Sequence, residues 1–113
     1  MVTVYHNPRC SKSRQTLELV KSQGLDAQLV LYLETPPNTA ELATLVKKLG
    51  FSAEQLVRKS EQVYKDNFRN MEMTEAQWLE AMSKHPKLIE RPIVVNGDRA
   101  ALGRPPENVL EIL

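Results

Sequence analysis

The chain opens on Val2-Thr3-Val4-Tyr5, β-branched and aromatic residues closed by the breaker pair Asn7-Pro8, which predicts a short strand running into a loop. Cys10 stands at the mouth of the next element, a helix of about three turns with Leu17, Leu19 and Val20 on one side and Gly24 at its end. Gln28-Leu29-Val30-Leu31-Tyr32 predicts a second strand, buried by its composition, and Glu34-Thr35-Pro36-Pro37 excludes a helix directly after it. Beyond the prolines, Asn38 or Thr39 can cap a helix with Glu41 in its first turn. Leu42, Leu45, Val46 and Leu49 form its apolar stripe, and Gly50 ends it.

Capping-box spacing recurs at Ser52 and Gln55 before Leu56-Val57, and at Thr74 and Gln77 before Trp78, Leu79 and Met82, predicting two further helices. Between them, Lys59 to Met73 is polar with scattered Val63, Tyr64 and Phe68 and carries no clear period. Pro86 and Pro92 bracket a loop. After it, Ile93-Val94-Val95 and Asp98 to Leu102 read as a β-hairpin turning at Asn96-Gly97. Pro105 or Pro106 opens a last helix whose apolar face is Val109, Leu110, Ile112 and Leu113. The order β-α-β, helices, hairpin, helix makes an α/β protein: a mixed sheet of four strands flanked by helices, with a helical insertion before the C-terminal hairpin.

A length of 113 residues with 42% hydrophobic content suits one modest core, so a single domain over 1–113 is expected. Fifteen basic and 14 acidic residues give a net charge of +1 and form no like-charged run, which argues against a nucleic-acid or membrane-surface partner. No apolar stretch approaches the roughly 20 residues needed to span a bilayer. The start of the chain lacks a basic region followed by an apolar one, so a cytoplasmic location is expected. The single cysteine, which cannot form an internal disulfide, fits that reducing compartment.

His6-Asn7-Pro8-Arg9-Cys10-Ser11-Lys12-Ser13-Arg14 places that thiol where unpaired backbone amides of a helix start favour an anion, with Arg9, Lys12 and Arg14 adding positive charge. Such a setting lowers a cysteine pKa, and its polar, basic flanks speak against an inert buried thiol. A phosphatase-type Cys-x5-Arg loop fails on spacing, because the sixth residue after Cys10 is Thr16. A Cys-x-x-Cys dithiol fails because Ser13 holds the second position. His6, Cys10 and the remote His85 are too few for a zinc site, so no metal is expected. His6 can hydrogen-bond the loop or tune the thiol. Ser13 and Arg14 can order the first helical turn, and the Ser13 hydroxyl can donate to the sulfur.

His6-Asn7-Pro8-x-Cys10-x-x-Ser13-Arg14, Tyr32-Leu33-Glu34-Thr35-Pro36-Pro37, Val57-Arg58-Lys59, Glu90-Arg91-Pro92-Ile93-Val94-Val95 and Gly103-Arg104-Pro105 together resemble the glutaredoxin-coupled arsenate reductase family, in order and across the whole chain. The resemblance implies a thioredoxin-like fold, with a cis proline at Pro92 before the third strand. It implies that Cys10 is the catalytic thiol and that Arg58, Arg91 and Arg104 bind the oxyanion. Three guanidinium forks suit a tetrahedral anion and would depress the pKa of a nearby thiol. Arsenate or a similar small oxyanion is the implied substrate, attacked by Cys10 to form a covalent adduct. Glutathione is the co-substrate and glutaredoxin the partner, with no bound cofactor. Two rival readings are a monothiol oxidoreductase acting on glutathionylated proteins and an RNA-polymerase-binding regulator of the same fold. The regulators usually carry a Cys-x-x-Cys switch, which Ser13 denies. Family members with arsenate reductase activity commonly continue well past the Gly103-Arg104-Pro105 segment, whereas this sequence stops at Leu113, a difference that bears on substrate identity more than on thiol chemistry.

Overall fold

The computed structural model describes residues 2–113. Two compact units form, one from the chain up to Thr35 together with Arg91–Leu113, the other from Pro36–Glu90.

The first unit is built on a sheet of four strands, β1 (Val2–Tyr5), β2 (Ala27–Val30), β3 (Ile93–Asn96) and β4 (Arg99–Leu102), in the order β2-β1-β3-β4. β1 runs parallel to β2, with Val4 opposite Leu29, and antiparallel to β3, with Val4 opposite Val94. The alternation read in β1 places Val2 and Val4 on the buried face, joined by Val20 of α1 (Ser11–Ser22) and by Val94, Val109 and Ile112. β2 departs from the expected buried strand. It is an edge strand, so one flank and part of each face meet solvent, and Gln28 and Leu29 are exposed. It also stops at Val30, because the chain turns over Leu31 to Thr35, where the Leu31 carbonyl accepts from the N–H groups of Glu34 and Thr35.

The hairpin forms, but its turn lies one residue later than expected. Asn96 pairs with Arg99 inside the ladder, leaving Gly97 and Asp98 as the loop. Gly97 takes φ 63° at the first central position, where glycine alone meets no steric cost, while Asp98 keeps a negative φ. The last helix, Pro106–Ile112, is 3₁₀ rather than α. Its buried row is therefore Pro106, Val109 and Ile112, spaced by three, and Leu110 falls off that row into solvent.

In the second unit, α2 (Thr39–Leu49) starts at Asn38 with a complete capping box to Glu41, and buries Leu42, Leu45 and Val46. α2 packs against α4 (Glu75–Lys84), which starts at Thr74 with its own box to Gln77 and buries Trp78, Ala81 and Met82. The Ser52–Gln55 pair does not open an α-helix as expected. The Gln55 side chain accepts from the Ser52 N–H at 2.7 Å, but only the 3₁₀ turn Glu54–Leu56 follows. Val57 then goes extended to pair with Ile89, and Leu56 and Leu88 supply carbonyls to Glu90 and Arg58. Within the polar Lys59 to Met73 stretch lies the short helix α3 (Gln62–Asn67), tied down by Tyr64 and Phe68 at 6.3 and 6.0 Å from the Trp78 ring.

Candidate active site

A tight turn delivers Cys10 to the start of α1. The Asn7 side chain accepts from the Arg9 N–H at 3.0 Å, and the Asn7 carbonyl accepts from the Cys10 N–H at 3.0 Å. Cys10 is extended, at φ −96° and ψ 123°, and its carbonyl opens the helix by accepting from Arg14. Its thiol makes no strict capping bond, yet the N–H groups of Ser13 and Lys12 face the sulfur. Two arginines complete the surroundings. Arg91 favours the charged form of the thiol, and Arg104 Nη2 lies 3.7 Å from the sulfur. Arg104 also donates through Nε to the Arg91 carbonyl at 2.7 Å, so one guanidinium spans both the thiol and the residue before Pro92.

Partial burial pushes the Cys10 thiol up, but the Ser13 N–H, the hydrogen bond and charge of Arg91 and the Lys12 N–H together outweigh it. The net result is a thiol pKa below its ordinary value. Arg91 Nε is buried without a hydrogen-bond partner, an uncommon state for a charged donor and one that an anion in the site would satisfy.

Ser13 supports the loop through its hydroxyl rather than reaching the sulfur with it. That hydroxyl sits 2.7 Å from His6 Nδ1 and accepts from the Asn7 N–H at 3.0 Å, with all three residues buried. Burial first, then the charges of Lys21 and Arg14, hold the His6 pKa below the ordinary histidine value. Arg14 closes the outside of the loop by donating to the Pro8 carbonyl at 2.9 Å.

The Arg91-Pro92 peptide is cis, as the resemblance implies, and Arg104-Pro105 is cis as well. Arg58 belongs to the other unit, next to the Val57–Ile89 pairing. It faces Glu90 at 3.7 Å, and its Nε is buried without a partner. Among the described residues no cluster of three His, Cys, Asp or Glu side chains could hold a metal ion, and no helix is long and apolar enough to cross a membrane.

Asn7, expected as half of the breaker pair that ends β1, also shapes the turn through its side chain and carbonyl. Gly103 lies against Thr16 and Pro92 so closely that a Cβ built there would fall 2.5 Å from Thr16 Oγ1 and 2.8 Å from Pro92 Cγ. Nothing in the spacing of residues foretells that approach.

A β2-β1-β3-β4 mixed sheet, a cysteine opening the helix after β1 and a cis proline entering β3 define a thioredoxin-like protein with one thiol. The chain belongs to the ArsC family, which it matches over residues 5–112. It is 52% identical to the Escherichia coli K12 protein called uncharacterized protein YfgD, over 99% of this chain and 96% of that one. Identity to the Haemophilus influenzae protein called arsenate reductase is 47%, over 99% and 98% of the two chains. The solved structure of arsenate reductase from Vibrio cholerae superposes with a TM-score of 0.95 at 48% identity, covering 99% of this chain and 97% of that one.

Proposed function

We propose that this protein is an arsenate reductase, working in the reducing cytoplasm, with Cys10 as nucleophile and with glutathione and glutaredoxin supplying the electrons. The observation that carries the reading is the Cys10 sulfur at a helix start, with Arg104 Nη2 at 3.7 Å and Arg91 favouring the thiolate. Such a setting stabilises a thiolate and, beside it, a tetrahedral oxyanion. The name arsenate reductase is carried by relatives that share nearly the full length of this chain.

In the first step, the thiolate attacks arsenic, an S–As bond forms, and one arsenate oxygen leaves as water after protonation. Arg91 and Arg104 hold the remaining oxygens. Glutathione thiolate then attacks the Cys10 sulfur. An S–S bond forms, the S–As pair of electrons stays on arsenic, and arsenic leaves in the trivalent state as arsenite. Glutaredoxin attacks the glutathione sulfur of the mixed disulfide and releases the Cys10 thiolate. Two thiols are oxidised to a disulfide for each arsenic reduced by two electrons. An external thiol is obligatory, because the chain holds no second cysteine to resolve the adduct.

The test is arsenate-dependent NADPH oxidation in the presence of glutathione, glutathione reductase and glutaredoxin. Turnover is expected for the wild type and none for Cys10→Ser, since a serine hydroxyl is a far weaker nucleophile near neutral pH. Arsenite formed by Cys10→Ser, or repeated turnover without added thiol, would refute the mechanism. A glutathione adduct that forms on Cys10 and clears with glutaredoxin, with no arsenate activity, would transfer the protein to the monothiol oxidoreductases.

A further inference from the structure

The proposed reaction needs a glutathione thiol beside Cys10, and a cavity of about 290 Å³ lies between the thiol loop and the turn that follows β2. His6, Pro8 and Arg9 wall it on the loop side, and Leu31, Leu33 and Glu34 on the other. Its size lies at the lower edge of small-molecule pockets, suited to part of a tripeptide rather than to a folded partner. The turn brings Glu34 there: its N–H donates to the Leu31 carbonyl at 2.9 Å and folds the chain back over the loop. The Tyr32-Leu33-Glu34 segment thereby acquires a task that the oxyanion chemistry leaves unassigned.

We propose that this cavity seats the γ-glutamyl end of glutathione, with Arg9 on its α-carboxylate, Glu34 on its ammonium group and Leu31, Leu33 and Pro8 against its methylenes. The proposal rests on the glutathione-dependent reading above. Its support is chemical complementarity: the γ-glutamyl group is a zwitterion on a short apolar stem, and the cavity offers one cation, one anion and apolar walls. Among the described residues, neither the Arg9 guanidinium nor the Glu34 carboxylate has a hydrogen bond or ion pair within the protein, so both are available to a ligand. His6, whose Nδ1 is engaged by Ser13, contributes a wall rather than a competing charge. Cys10 follows Arg9 directly, and its N–H bonds the Asn7 carbonyl, so the thiol residue belongs to the same turn that walls the cavity. In glutathione the cysteinyl residue is joined directly to the γ-glutamyl group, so a ligand anchored at that end keeps its reacting sulfur within one residue of the site.

A larger groove of about 890 Å³ flanks α1 and includes Arg14, Gln15 and Glu18. Its guanidinium is already committed, since Arg14 donates to the Pro8 carbonyl. Glu18 therefore serves as the control for Glu34.

S-methylglutathione, which cannot form a disulfide, is titrated into the isotope-labelled protein and its contacts are mapped by amide chemical shifts. Shifts are expected at Arg9, Leu33 and Glu34. Glu34→Gln and Arg9→Gln should each weaken its binding and raise KM for glutathione by about fivefold or more. Glu18→Gln should leave both unchanged, and Glu34→Gln should leave KM for arsenate and the Cys10 pKa unchanged. Shifts confined to the α1 groove, or an unaltered glutathione KM in both cavity variants, would overturn the site while leaving the reductase reading intact. Mapping to the cavity in a protein that fails to reduce arsenate would do the reverse: the site would stand and the arsenate assignment would fall.

Discussion

Gly103→Ala tests whether close packing behind the thiol sets the position of Arg104. The added Cβ would lie 2.5 Å from Thr16 Oγ1, 3.1 Å from Thr16 Cγ2 and 2.8 Å from Pro92 Cγ. Carbon atoms pack best at about 3.5–4.0 Å, so Thr16 and Pro92 must each retreat by up to about an ångström. Neither moves freely. Thr16 is fully buried with its hydroxyl donating to the Lys12 carbonyl at 2.8 Å, and the Pro92 carbonyl accepts from the Gly103 N–H at 2.9 Å. Overpacking of this kind costs about 1–3 kcal/mol. For a chain of this size Tm should fall by roughly 4 °C per kcal/mol. Because Arg104 follows Gly103 and Pro92 follows Arg91, the shift should also draw both guanidiniums from the sulfur, and the displacement of Arg91 should let the Cys10 pKa rise toward its ordinary value. Thr16→Ala removes two of the three contacts, so the double variant should be more stable than the sum of the single losses, with a coupling of about 0.5–3 kcal/mol. Thermal unfolding gives the stability, and the rate of iodoacetamide alkylation against pH gives the thiol pKa. A Gly103→Ala protein as stable as the wild type, or strict additivity with Thr16→Ala, would refute the packing argument.

A lowered thiol pKa has a consequence for stability. Between the folded Cys10 pKa and the ordinary thiol value the unfolded chain binds more protons, so the wild type should gain stability over Cys10→Ser as pH rises through that window and lose the gain as pH falls through the folded pKa. Urea unfolding of the pair across pH measures this, and a difference independent of pH would remove the activated thiol. Asn38→Ala deletes the side chain that accepts the Glu41 N–H at 2.8 Å and should cost about 0.5–2 kcal/mol, read from the urea midpoint; a smaller loss for Asn38→Gly would confirm that the cap and not the packing is at issue.

Where the local pattern and the tertiary context agreed, the fold was legible. β1 alternates because only one of its faces meets the core, and the helices at Asn38 and Thr74 start where their side chains can reach a backbone N–H three residues on. Ser52 and Gln55 carry the same local signal and failed, because a β-bridge from Val57 to Ile89 claims the backbone that a helix would have used. That competitor is more than thirty residues away in sequence, outside any local window. β2 misled for a related reason: apolar composition does not say whether a strand lies at the centre or at the edge of a sheet, and Leu29 is exposed at the edge. In the final segment a 3₁₀ geometry changed the period from 3.6 to 3, which moved Leu110 out of the buried row.

The thiol site was only half legible for a physical reason. The electrostatic half lies within a few residues of Cys10, where a helix start and a turn made by Asn7 can be read from the order of residue types. The other half comes from a segment more than eighty residues away, and the β1–β3 pairing is what returns it: Tyr5 stands opposite Ile93, so the residues preceding β3 arrive beside those following β1. Arg91 thus meets the thiol because of sheet register, and Arg104 because β4 reverses direction and brings the chain back past the start of β3. A one-residue slip in the β3–β4 ladder would invert which side chains face the core. Such a slip would displace Arg104 from both the sulfur and the Arg91 carbonyl at once. The hairpin is therefore as much a part of the site as the cysteine, since its register carries the guanidinium that a linear motif can name but cannot place.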